Sequence, residues 1–185
     1  MIPISVSHSA SFIWAPRGYK DQYEMDKDLV QKWNAIVQPD DEVYHLGDVM
    51  LNDNDEGMSC LRALTGHIHV IRGNHDGDKR LALYHTAPNV VETVDAKFLQ
   101  YRKYHFFLSH YPCICANYDD GDSLHRKAIN LCGHAHVADS FADMDKGIIY
   151  HCEVDAHSNA PVNLDMIIAE IKDYLYNREE TKNDE

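Results

Sequence analysis

The sequence predicts an α/β sandwich built as one domain, with both sheets covered on their outer faces. Helix and strand patterns alternate through the first half, and after Pro88 the texture turns to strands that one amphipathic helix closes. The length of 185 residues, with 21.2 kDa, suits a single sizeable core rather than two.

Taken in order, Met25, Leu29, Val30, Trp33, Ile36 and Val37 fall at spacings of one helix face, and Pro39-Asp40-Asp41 ends that helix. Glu42 to Leu46 reads as a short strand stopped by Gly47-Asp48. Met58 to Leu64 reads as helix, Ile68 to Ile71 as strand and Asp78 to His85 as helix. Strands follow at Val90 to Val94, Phe98 to Tyr101, Tyr104 to Leu108, Ala128 to Cys132 and Ile148 to Cys152. Leu164, Ile167, Ile168, Ile171 and Leu175 return to helical spacing. Residues 1–176 are expected to form the domain and the polar stretch 177–185 a frayed tail.

Composition narrows the function classes. Asp and Glu exceed Lys and Arg by 30 to 17, a formal charge of -13, which disfavours coating a nucleic acid or an anionic membrane. No apolar run approaches a membrane span, and the N-terminus lacks the basic region of a signal peptide, so the cytoplasm is the expected compartment. Five cysteines, odd in number and without a Cys-x-x-Cys pair, point to free thiols rather than a disulfide framework or a thiolate zinc site. The 13 histidines are the feature to explain, because imidazole is both a common metal ligand and the side chain that titrates near neutrality.

Polar residues recur where the expected strands end: Gly47-Asp48, Arg72-Gly73-Asn74-His75-Asp76, Ser109-His110 and Gly133-His134-Ala135-His136. Loops at the carboxyl ends of strands are where α/β folds gather ligands. Each motif alone also has a plain structural reading. Gly-Asp and Gly-Asn-His-Asp are turn sequences, His110 alone reads as a partly buried histidine, and two surface histidines would look like His134-x-His136. The conjunction carries the argument, since N and O donors stand at four strand ends. On an extended segment His134 and His136 would point to the same side. One carboxylate, one amide oxygen and several imidazoles suit Mn, Fe, Ni or Zn better than Ca or Mg. Asp48 has two oxygens and could bridge two ions about 3.5–4 Å apart.

In this order, Gly47-Asp48, Gly73-Asn74-His75-Asp76, Ser109-His110 and Gly133-His134-x-His136 resemble four of the five motifs of the calcineurin-like metallophosphoesterases, in particular the small bacterial and phage members. The resemblance runs from about residue 2 to the segment Pro161 to Asp165. It implies a four-layer αββα sandwich with two mixed β-sheets around a dinuclear centre of divalent transition metal ions. It also implies that Asp48 bridges both ions, that Asn74, His110 and His134 complete the second site, and that His8 and His136 bind the first. His75 would face the substrate and protonate the leaving oxygen. Arg72 is a candidate for a phosphate oxygen, alongside an ordinary surface arginine, and Asp76 reads as a structural carboxylate.

The first motif departs from the family, whose pattern there is Asp-x-His. Here Val6 stands two positions before His8, and no acidic residue precedes Asp21. The first site is therefore expected to be partly filled. Leu51, three after Asp48, takes the place of an aspartate that the double-phosphatase members use to orient the equivalent of His75.

The expected activity is hydrolysis of a small phosphodiester or phosphomonoester by attack of a metal-bound hydroxide, with no long nucleic acid and no membrane as partner. The alternative is a metal-binding scaffold or pseudoenzyme on the same fold, with the first site impaired by Val6. His45, His67, His69, His105 and His151 read as structural or surface residues, and His157 as a residue that could line the rim.

Overall fold

The computed structural model describes residues 11–51, 54–115 and 123–183. A short helix α1 (Ser11–Trp14) leads into α2 (Gln22–Ile36), which starts where the Asp21 side chain accepts from the Glu24 N–H at 2.8 Å, an N-cap. Strand β1 (Glu42–His45), helix α3 (Asn54–Ala63), strand β2 (His67–Ile71), helix α4 (Asp78–Tyr84) and strand β3 (Val90–Val94) follow in alternation. Their strands form one parallel sheet in the order β1-β2-β3.

The second sheet has the order β4-β5-β6-β7, from β4 (Lys97–Tyr101), β5 (Tyr104–Leu108), β6 (Ala128–Cys132) and β7 (Ile149–His151). β4 and β5 are an antiparallel hairpin whose turn holds Arg102 at φ 53, whereas β5-β6 and β6-β7 run parallel, so this sheet is mixed. Helix α5 (Leu164–Asn183) closes the chain.

Two cores follow from the alternation of side chains along the strands. Met25, Leu29 and Trp33 of α2 and Leu61 of α3 pack on Val43, Ile68 and Val70, the helix-facing side of the first sheet. Leu46 and Ile71 belong instead to the second core, with Phe106, Leu131 and Tyr150 of the second sheet and Ile167 and Ile171 of α5. Helices, sheet, sheet and helix therefore lie in the layered order that the resemblance implies.

One element is added and one expectation is corrected. Ser11–Trp14 is helical although no pattern marks it. α5 also continues past Leu175 to Asn183, through residues whose polarity reads as a tail. A helix with one solvated face needs no apolar residues there, and Arg178 Nη1 donates to the Met144 carbonyl at 3.2 Å, tying that turn down.

Candidate metal centre and active site

The loops after β1, β2, β5 and β6 meet between the sheets, and their backbones approach closely before any side chain is considered. Gly47 has φ 94, and a Cβ on it would lie 2.6 Å from Gly73 Cα and 2.7 Å from His110 Nδ1. A Cβ on Gly73 would lie 2.2 Å from Asp48 Oδ1. Only glycine allows these two loops to touch.

Asp76 fastens them. Its Oδ2 accepts from Asp48 N at 2.6 Å and from Gly73 N at 2.9 Å, and the Tyr84 hydroxyl donates to Oδ1. Burial pushes the Asp76 carboxyl above its ordinary value, while the donors act in the opposite sense. This matches the structural carboxylate expected from sequence. The loop after β5 is fixed from β6 by the buried Asn130, whose Nδ2 donates to Phe107 O and Ser109 Oγ while its Oδ1 accepts from Cys113 N.

His110 sits at the centre of the candidate site. Its Nδ1 lies 2.7 Å from the Leu46 carbonyl oxygen, which can only accept, so Nδ1 carries a proton. Its Nε2 faces Asn74 Oδ1 at 2.8 Å, His134 Nδ1 at 3.1 Å and Asp48 Oδ2 at 3.3 Å. Two oxygens that only accept and two ring nitrogens thus converge from four strand ends. Such a set needs a cation, either a proton on Nε2 or a metal ion. The carbonyl behind Nδ1 is the usual support of a metal-ligating histidine. Asp48, His110 and His134 are the one group of this kind among the described residues, with ligand atoms within 4.8 Å of one another.

Burial disfavours the charged form of each member, yet the hydrogen bond from His110 and that from His75 N hold the Asp48 carboxyl below its ordinary value. Against the same burial, Asp48 and the Leu46 carbonyl hold His110 above its own. Burial and the neighbouring His110 push His134 down, which favours the neutral, ligating imidazole. Asp48 at φ 55 and His134 at φ 78 occupy left-handed backbone that non-glycine residues seldom adopt, a strain often found at functional sites.

His75 presents its N–H to Asp48 Oδ1 at 2.8 Å. His75 lines a cleft of about 460 Å³ together with Asp48, His134, His136, Arg17 and Asp155. Arg72 is held by two exposed carboxylates, Asp78 at 2.7 Å and Asp95 at 3.1 Å, and lines a different cavity with Asn74 and Tyr111. His8 and Val6 lie outside the described residues.

The expectation that His134 and His136 share one side of an extended segment fails. β6 ends at Cys132, and both histidines have positive φ, 78 and 52, so the pleat that would align them is absent. His134 turns to Asp48 and His110, whereas His136 Nδ1 lies 3.3 Å from Arg17 Nη2 and 3.4 Å from Asp155 Oδ2. Arg17 holds Asp155 through two bonds, Nε to Oδ1 and Nη2 to Oδ2, each 2.8 Å. Sequence reasoning missed both residues. Nor does His157 line the cleft: its ring stacks on Tyr150 and its Nε2 faces the His151 carbonyl at 3.1 Å, leaving Asp155 as the residue of that segment in the site.

The match to a family model decides the affiliation: residues 4–173 fit the calcineurin-like phosphoesterase superfamily domain. The chain belongs to that superfamily. An uncharacterized protein of Methanocaldococcus jannaschii is 28% identical to this phosphoesterase-superfamily chain over 169 residues, covering 88% of it and 84% of the relative. The crystal structure of a protein of unknown function from Aquifex aeolicus covers 91% of this chain and 98% of its own, with a TM-score of 0.66 at 21% identity. That likeness confirms the fold of this superfamily member. No helix among its described residues is long and apolar enough to cross a membrane.

Proposed function

We propose that the protein is a metal-dependent phosphoesterase that hydrolyses a small phosphodiester or phosphomonoester. The observation that supports it best is the convergence of Asn74 Oδ1, Asp48 Oδ2 and His134 Nδ1 on His110 Nε2, beside a cleft lined by His75. Asp48, Asn74, His110 and His134 would hold a divalent transition ion, Mn, Fe, Ni or Zn. When bound, such an ion supplies electrophilic charge and acidifies water.

The chain's own residues do the rest. Asp76 and the two close glycines hold the Asp48 and Asn74 loops in register, and the Leu46 carbonyl fixes the His110 ring. His75, tethered through its N–H to Asp48, gives a proton to the leaving oxygen from the cleft wall. The net charge of -13 turns long polyanions away, so a small phosphorylated molecule is the substrate class.

The engagement of His136 by Arg17 and Asp155 favours a second reading, a metal-binding scaffold without turnover. Assays of bis-(p-nitrophenyl) phosphate and p-nitrophenyl phosphate with added Mn, Ni and Zn separate the two. Hydrolysis that requires metal and stops with a chelator is expected; a folded protein inert with every metal would leave the scaffold.

A further inference from the structure

Among the described residues, the first of the two sites implied by the resemblance already holds a cation, the Arg17 guanidinium, against His136 and Asp155. Asp155 Oδ2 and His136 Nδ1 are 3.4 Å apart. Donors bound at about 2.0–2.2 Å to a tetrahedral ion stand about 3.3–3.6 Å apart, so this pair has the spacing of two ligands. Arg17 Nη2 already stands against both, 2.8 Å from the oxygen and 3.3 Å from the nitrogen. The Arg17 side chain is 4% exposed and cannot lose its proton, so its charge is permanent.

We infer that the Arg17 guanidinium occupies the first metal position, so that the protein works with one ion at the Asp48, Asn74, His110 and His134 corner. The inference rests on the phosphoesterase reading and adds to it. Three features of the molecule support it together. The first motif carries Val6 where the family has an aspartate. Among the described residues, the carboxylate beside His136, Asp155, is held by two bonds from Arg17. Arg17 also lines the same cleft as Asp48, His75, His134 and His136. A single fixed positive charge thus stands beside the metal corner, where a phosphoryl group would lie between the two. Its position is held by Asp155 and by the Met25 sulfur at 3.6 Å from Nη1, independently of the metal concentration.

The test is manganese stoichiometry and electron paramagnetic resonance of the purified full-length protein, loaded with Mn and desalted. The expected result is one Mn per chain with the six-line spectrum of an isolated ion. The Arg17→Gln variant removes the guanidinium from Asp155 and His136, and its content should rise to two with an exchange-coupled spectrum. The double variant Arg17→Gln, Asp155→Asn should return to one. Two coupled ions in the wild-type protein would overturn the inference, as would an Arg17→Gln protein that folds and stays at one. If Arg17→Gln does not fold, the wild-type count decides alone. A wild-type protein that binds no Mn, Ni or Zn would instead overturn the phosphoesterase reading on which the inference stands.

Discussion

The two corners of the cleft solve the same problem in opposite ways. At one, Asp48, Asn74, His110 and His134 bring donor atoms for a cation together from four strand ends with no permanently charged cationic side chain among them. At the other, His136 and Asp155 meet the buried guanidinium of Arg17, and the charge is already balanced. The loop 134–136 feeds both corners with one histidine each. Left-handed backbone at both histidines sends their rings apart, so a two-histidine motif is divided between a site that calls for an ion and one that carries its own.

The largest effect should come from Asp48→Asn. It keeps the shape and an acceptor for His75 N but removes the only carboxylate that the described residues bring to the metal corner, and both metal content and hydrolysis should fall to background. Metal analysis with the diester assay checks this, and an Asp48→Asn protein that keeps its ion would dissolve the contrast between the corners. Next in size is His75→Ala, expected to lose about 10²- to 10⁴-fold in rate with metal content unchanged. Loss of the ion along with the rate would make His75 a support of the metal corner rather than an acid.

How much of this the sequence shows depends on distance along the chain. Asp48, Asn74, His110 and His134 are legible because each ends a strand whose periodicity is plain, and parallel strands deliver their carboxyl ends to one edge. Arg17 and Asp155 are not legible. They are 138 residues apart, Arg17 lies in a stretch with no pattern, and Asp155 follows a three-residue strand as an ordinary turn aspartate. Only the tertiary fold brings them to His136. The left-handed φ of His134 and His136 is equally hidden, since nothing in Gly-His-Ala-His distinguishes a turn from a strand end.

A smaller effect concerns the brace under the shared loop. Glu153 accepts from Ala135 N at 3.0 Å and faces His151 Nδ1 at 3.1 Å, while Asp143 faces His151 Nε2 at 3.0 Å. Burial lowers the His151 value, but its two carboxylate partners more than offset this and raise it. A histidine with a raised folded value stabilises fully below its unfolded value of about 6.5, and that stability is lost as pH rises through the folded value. Wild-type protein should therefore melt above His151→Gln by several degrees near pH 6, on the order of 1–3 kcal/mol, and the gap should narrow as pH rises. A gap that widens with pH would mean that His151 is held neutral.

The division between the corners is tested most directly by anomalous diffraction at the manganese edge from crystals of the Mn-loaded protein. One peak is predicted, bounded by Asp48, Asn74, His110 and His134, with the Arg17 guanidinium still between Asp155 and His136. A second peak on His136, with Arg17 displaced from Asp155, would contradict the account.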